Sequence, residues 1–228
     1  MPAFDLDRQT VRELNAALHR ASPDTNDTLW EVVNSGGKHA IAAGADVAVE
    51  MDIKGHVGYY CAGMNKRASV RIHGNAGTGV AENMMSGVVH VMGDASQSAG
   101  ATGRGGLLIV EGDAAARCGI SMKGIDIVVK GSIGAMSAFM GQTGNLVVLG
   151  DAGEALGDSI YEATVFVRGK VKSLGADCIE KPLSEEDRIR LADLLGRAGV
   201  EDTGLDGFRM YGSARQLYHF HVNNITSY

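Results

Sequence analysis

Residues 106–115 read Gly-Leu-Leu-Ile-Val-Glu-Gly-Asp-Ala-Ala, and residues 144–153 read Gly-Asn-Leu-Val-Val-Leu-Gly-Asp-Ala-Gly. In both, an apolar run leads into Gly-Asp-Ala, and the second lies two periods of 19 residues after the first. The same spacing places a glycine in seven successive repeats: Gly55, Gly74, Gly93, Gly112, Gly131, Gly150 and Gly169. A period of about 20 residues without insertions is typical of a solenoid, whose repeats bury their apolar faces against their neighbours.

Three apolar columns accompany the glycines and predict the kind of solenoid. Four residues before the glycine every repeat has an apolar residue, and two residues before it a β-branched one, which is the spacing of one face of a strand. The β-branched column is Ile53, Ile72, Val91, Val110, Val129, Val148 and Val167. The third column resumes the inward face two residues after the glycine: Val57, Ala76, Ala95, Ala114, Ile133, Ala152 and Val171.

Seven residues after each glycine stands a small residue, which indicates a narrow interior: Ala62, Ala81, Gly100, Gly119, Ala138, Gly157 and Ala176. The repeating glycine is expected either to take a backbone angle closed to other residues or to let neighbouring coils approach closely. We therefore predict an all-β chain, a right-handed parallel β-helix of about seven 19-residue coils, with helical caps at both ends.

Composition and charge exclude several function classes. The chain has 228 residues, 45% of them hydrophobic, and a net charge of −6 without a basic patch, so neither nucleic acid nor an acidic membrane surface is an expected partner. No apolar run approaches the roughly 18 residues that span a bilayer. The acidic N-terminus, with Asp5, Asp7 and Glu13, does not resemble a signal peptide, so a cytoplasmic location is expected.

The repeats are expected to occupy residues 46–178, with an N-terminal cap over 1–45 and a helix and aromatic tail over 179–228. In the N-terminal cap, Asp7 is predicted to open a helix that runs through His19. Its apolar stripe consists of Val11, Leu14 and Leu18.

The C-terminal segment predicts a second helix. Ser184 with Asp187 resembles a capped helix start, and Gly196 is expected to end the helix. Its apolar stripe consists of Leu191, Leu194 and Leu195.

The cysteines predict neither a disulfide nor a metal site. Cys61 and Cys118 share one repeat position three coils apart, which separates them by roughly 14 Å. Cys178 has a different phase, so no zinc or iron–sulfur ligand set is encoded. All three are interpreted as small buried hydrophobic residues.

One outward column changes character along the stack. Three residues before the glycine, Asp52, Arg71 and His90 give way to an apolar row that should not face water: Ile109, Val128, Val147 and Phe166. We call this row the outer ladder. Either the C-terminal helix of the chain or a partner protein is expected to cover it, and the chain's own helix is the simpler cover.

Candidate catalytic groups are few. Asp94, Asp113 and Asp151 align with Asn75 and Ser132 beside the repeating glycine, as do the carboxylates of carbohydrate-active β-helices, but turn residues that bond nearby amides explain the row more simply. His219 and His221 could lie on one face of a strand, without an evident third metal ligand. No nucleophile motif or phosphate loop is present, so the expected catalytic, cofactor-binding and metal residues on this chain are none.

The repeats resemble a known family. The runs Gly55–Met64, Gly112–Gly124 and Gly150–Gly157 resemble the GxGxG repeats of the C-terminal β-helix domain of the glutamate synthase large subunit. The resemblance covers roughly residues 30–180, and formylmethanofuran dehydrogenase has a subunit of the same domain type. In glutamate synthase the domain braces the amidotransferase and flavin domains, which implies a structural role for this chain.

The arrangement of repeats and tail is similar to the small subunit of N-methylglutamate synthases. That resemblance implies a cytoplasmic hetero-oligomer that makes N-methylglutamate and ammonia from methylamine and glutamate. Its partners would be a glutamine amidotransferase-like subunit and an FMN-binding glutamate synthase-like subunit. FMN, and any iron–sulfur cluster, would belong to those partners and not to this chain.

Two surfaces are candidates for contact with such partners. One is the outer ladder. The other is the tail, where aromatic residues concentrate, although the tail could equally pack back on the coil: Phe208, Tyr211, Tyr218 and Phe220. Residues 158–162 lack the family's usual glycines, so this coil could be remodelled for a particular partner. A formylmethanofuran dehydrogenase-type subunit and a stand-alone carbohydrate-active enzyme remain the alternative functions.

Overall fold

A computed structural model describes residues 2–22, 28–201 and 204–215 of the chain. Over these residues, eleven strands form one sheet in the order β1-β2-β3-β4-β5-β6-β7-β8-β9-β11-β10. The strands are β1 Ala3–Asp5, β2 Leu29–Val33, β3 Glu50–Ile53, β4 Ser69–Ile72, β5 Val88–Val91, β6 Leu107–Val110, β7 Lys123–Val129, β8 Thr143–Val148, β9 Thr164–Val167, β10 Cys178–Lys181 and β11 Arg209–Ser213. The helices are α1 Val11–Arg20, α2 Glu185–Arg197 and a short 3₁₀ helix, Leu205–Gly207.

The parallel pairing confirms the predicted β-helix. From β3 to β9 each strand pairs in parallel with the next, and partners such as Leu108 and Ile127 stand 19 residues apart. The column after the corner makes a second parallel line, from Val57 through Ala76 to Val171. The coil therefore stacks in one register along two of its sides, and the columns of the sequence become straight rows in space.

The sheet extends upstream of the glycine repeat. Val32 in β2 pairs in parallel with Ile53, and Phe4 in β1 pairs with Val32. These partners are 21 and 28 residues apart, because the longer coils hold additional loops and, between β1 and β2, helix α1. The parallel stack therefore begins close to the N-terminus and includes two strands that the 19-residue spacing could not predict.

The interior is an aliphatic core built from the three predicted columns. Members such as Val110 and Val129 are fully buried. The small column has two reasons to be small. Ala81 and Gly100 take left-handed backbone angles, with φ of 57° and 67°. A Cβ on Gly100 would also lie 2.6 Å from Cδ1 of Ile127.

The repeating glycines mark the closest approach of one coil to the next. A Cβ on Gly131 would lie 2.2 Å from Asp113 Oδ1 and 2.6 Å from the Gly112 carbonyl oxygen. Among the seven, only Gly55 has a positive φ, of 110°. Of the two expected reasons for this column, close approach of the coils is confirmed in general, and a special backbone angle holds at Gly55 alone.

Helix α1 begins later than predicted. Its N-cap is Thr10 and not Asp7, because Thr10 Oγ1 accepts the Glu13 N–H at 3.2 Å while Glu13 Oε2 accepts the Thr10 N–H at 2.7 Å. The reciprocal pair is a capping box. Asp7 belongs instead to a turn, where its N–H donates to Asp5 Oδ1. The predicted stripe is confirmed, since Leu14 and Leu18 are buried against the core.

Helix α2 begins where predicted and ends later. Ser184 and Asp187 form the expected capping box. Gly196 lies inside the helix, and the chain leaves it at Gly199, whose φ is 68°. The Val200 N–H donates to the Leu195 carbonyl at 2.9 Å, which makes this end a Schellman motif. The prediction that Gly196 stops the helix was therefore wrong.

An antiparallel hairpin ends the stack. Strand β11 pairs antiparallel with β9, and β10 pairs antiparallel with β11 as the last strand of the sheet. The outer strand β10 is short, contains Glu180 and Lys181, and is followed directly by Pro182. Charged residues and proline are typical devices against unwanted edge pairing.

Gly131→Ala should destabilise the protein by about 1–3 kcal/mol, because the added Cβ overlaps the preceding coil and forces the backbones apart. Gly196→Ala is the matched control, since nothing lies within 4 Å of its Cβ and alanine favours a helix interior by roughly 1 kcal/mol. Urea unfolding of both variants measures the difference. Equal stability of the two variants would contradict the close-approach explanation.

Candidate functional site

The outer ladder lies beneath helix α2. Its four side chains are between 0% and 4% exposed and form a second apolar cluster, separate from the inner core. Helix α2 contributes Leu191, Leu194 and Leu195, and the segment after it adds Phe208 and Met210. The interpretation that the chain's own helix covers the ladder is confirmed.

Polar contacts hold the two ends of α2 over different strands. Near the N-terminal end, the Arg190 guanidinium pairs with Asp187 and lies 5.7 Å from the ring centre of Phe166 in β9. At the C-terminal end, Arg197 Nη1 is 3.3 Å from Asp126 Oδ2 in β7. The helix therefore runs along the stack, from β9 back toward β6.

The interface assignment of the outer ladder is corrected accordingly: these residues make contacts within the chain and offer no free surface. Phe208 belongs to the same buried cluster. Tyr211 is 2% exposed and packs with the inner core at the end of the stack. Tyr218 and Phe220 lie outside the described residues.

The polar row beside the glycines is a chain of side-chain-to-backbone hydrogen bonds. The Asp94 N–H donates to Asn75 Oδ1 at 3.0 Å, the Asp113 N–H to Asp94 Oδ1 at 2.9 Å, and the Ser132 N–H to Asp113 Oδ1 at 2.7 Å. Asp151 continues the pattern, bonding Ser132 Oγ through its N–H and the Lys170 N–H through Oδ1. Each side chain thus caps the amide one coil later.

This geometry supports the turn interpretation of the row over catalysis. Asn75 and Ser132 fill the same place as the aspartates, so the row requires an acceptor oxygen and not a carboxylate. A row that performed acid–base chemistry would need carboxyl groups at particular coils.

The cysteines are free and buried. Burial raises the pKa of the Cys61 and Cys118 thiols to about 12 and that of Cys178 to about 11. A thiol is nucleophilic as its thiolate, so these groups are unreactive at neutral pH.

The described residues include no group of three or more His, Cys, Asp and Glu side chains placed to hold a metal ion. His219 and His221 fall outside them. In the same part of the chain, neither helix is long and apolar enough to cross a membrane.

The outer face of the sheet remains uncovered over β2–β5. Two neighbouring rows line a concave groove there, which we call the open groove. One row is Leu29, Glu50, Ser69 and Val88, and the other is Glu31, Asp52, Arg71 and His90. The change from polar to apolar residues in the second row was visible in the sequence. Leu29 and Glu31 were missed, because β2 lies off the 19-residue spacing.

The rim of the open groove is fixed by ion pairs between successive coils. His73 Nε2 donates to Asp52 Oδ1 at 2.8 Å, and this bond holds the pKa of the Asp52 carboxyl below its usual range. At the end nearer α2, Glu111 accepts from His90 Nε2 at 2.6 Å and from Lys130 Nζ at 2.9 Å.

The coil at residues 158–162 is irregular, as its missing glycines indicated. Ser159 takes a positive φ of 55°, and Asp158 Oδ2 accepts the Ala176 N–H at 3.3 Å. Tyr161 is 39% exposed. Contact of this coil with a partner stays a prediction.

Comparison with curated proteins finds a relative of the same length. The chain is 61% identical over 228 residues to Protein GlxC of Rhizobium meliloti (strain 1021), and the match covers 100% of both chains. The chain belongs to the GlxC family. No protein-family model matches it. No solved structure matches it either.

Val128→Asp should release helix α2 while the inner stack persists, because the new charge lies under the helix without a partner. We expect a loss of about 3 kcal/mol or more and faster hydrogen exchange across α2. Ile189→Asp, on the exposed face of α2, is the control and should change stability by less than about 0.5 kcal/mol. Native protection of α2 in the Val128→Asp variant would show that the outer ladder does not hold the helix.

Asp113→Asn should keep near-native stability, because an amide oxygen can accept the Ser132 N–H as Asn75 accepts that of Asp94. Asp113→Ala removes the acceptor and should cost about 1 kcal/mol. Urea unfolding of the two variants measures the difference. If both variants lose stability equally, the charge of the row matters and the acceptor explanation fails.

Proposed function

We propose that this protein is a non-catalytic structural subunit of a glutamate synthase-like flavoprotein complex. The observation that carries the proposal is the hydrogen-bonded row beside the glycines. Its members, the one polar column that recurs beside every corner, are engaged in fixing backbone amides. The buried, protonated cysteines offer no alternative nucleophile.

The specific complex that we propose is N-methylglutamate synthase, which would convert methylamine and glutamate to N-methylglutamate and ammonia. The resemblance of the runs Gly55–Met64 and Gly112–Gly124 to the glutamate synthase β-helix supports this assignment. The partners would be an amidotransferase-like subunit and a synthase-like subunit that binds FMN. The β-helix would hold these two subunits at a fixed separation, a task for which a stack with one invariant register is suited.

The same fold would serve equally as a subunit of a formylmethanofuran dehydrogenase-type complex, which differs in its partners. A stand-alone carbohydrate-active enzyme would require the aspartate row to face substrate with free oxygens. The bonds from Asp94, Asp113 and Asp151 to successive amides disfavour that alternative.

Affinity purification of the tagged chain from its native host tests the proposal. We expect amidotransferase-like and synthase-like chains to co-purify with a flavin absorbance spectrum and with methylamine-dependent N-methylglutamate formation. The Val129→Asp variant, whose charge would disrupt the inner core, is the control that should capture none of these. A colourless wild-type protein without partners would overturn the proposal, and capture of formylmethanofuran dehydrogenase-type chains would replace it with the alternative.

A further inference from the structure

The open groove continues the seat of helix α2. Its two rows run in register into the strands under α2: Val88 pairs with Leu107, and His90 pairs with Ile109 of the outer ladder. Val88 packs against the cluster beneath α2 and also lines the groove. The sheet is therefore one continuous outer face, of which α2 occupies the C-terminal half.

The charges in the open groove lack partners within the described chain. Asp52 is paired with His73 and Lys54 at the rim. In the described residues, by contrast, Glu31, Glu50 and Arg71 form no ion pair with one another or with other side chains. Elsewhere on this face charges are matched between coils, as at Glu111 and Lys130. Unpaired charges of both signs in a concave surface favour a complementary polar ligand.

The order of these charges describes the ligand. Carboxylates lie at β2 and β3, a guanidinium at β4, and apolar side chains at the two ends of one row, Leu29 and Val88. Leu29 is 50% exposed. Four strands at about 4.8 Å span roughly 14 Å, which matches a helix of about ten residues. On the adjoining strands the same face already accepts a helix, α2.

We propose that the open groove binds a short amphipathic helix of a partner subunit, laid end to end with α2. This helix carries Lys or Arg against Glu31 and Glu50, a carboxylate against Arg71, and apolar side chains against Leu29 and Val88. The proposal rests on the proposed function, since it assigns the surface by which this subunit joins its complex. It makes the N-terminal half of the sheet a docking site for a protein helix.

Photo-cross-linking in the complex assembled from its co-expressed subunits tests the groove. A benzoylphenylalanine at Ser69, exposed in the middle of the groove, should cross-link to one helical segment of a partner subunit, mapped by mass spectrometry. The same group at Gln97, exposed at the corner beyond β5, is the matched control and should not reach that segment. Cross-links from Ser69 to a second copy of this chain, or to its own tail, would overturn the proposal.

A charge reversal provides the second measurement. Arg71→Glu should weaken binding of the partner subunit by about tenfold or more while thermal unfolding of the free chain stays unchanged. Arg104→Glu, an exposed arginine off the groove, should leave affinity as it is. An intact complex with native affinity for Arg71→Glu and no Ser69 cross-link overturns the groove assignment but not the proposed function. Failure of the wild-type chain to form any complex overturns both.

Discussion

The fold depends on the contact between the glycine of one coil and the side chain beside the glycine of the coil before it. At Gly131 the oxygen of Asp113 and the carbonyl of Gly112 already occupy the space of a Cβ. The same Asp113 oxygen accepts the amide of Ser132. Exclusion of a side chain and satisfaction of an amide therefore meet at one point in each coil, and together they fix the register at 19 residues.

A fixed register turns the columns of the sequence into straight rows, and the rest of the molecule uses those rows. The inward rows close an aliphatic core with few polar groups. The outward row Ile109, Val128, Val147 and Phe166 is straight enough for one helix to cover all four coils. A shift of one residue in any coil would turn an apolar side chain to the opposite face, so the cover and the core depend on the same corner contact.

Periodicity explains what the sequence could predict and what it could not. Strands β3–β9, the inner core and the apolar outer ladder follow from a pattern without insertions. Strand β2 escapes that pattern because Val32 and Ile53 are separated by a longer loop. The β10–β11 hairpin escapes it because antiparallel pairing has no repeat, so Phe208 and Tyr211 resembled an interface although they close the stack. Gly196 misled because a helix tolerates glycine when its real end, at Gly199, is capped two carbonyls over.

The position of α2 limits how the family can change in length. The helix is tied to β9 through Arg190 and Phe166 and to β7 through Arg197 and Asp126, and it spans a set number of coils between those ties. Losing or gaining one coil in that half would leave the helix overhanging or too short. Between β3 and β5 no such brace exists, so whole 19-residue units can be added or lost there during evolution with no cost to the brace, and only the length of the groove changes.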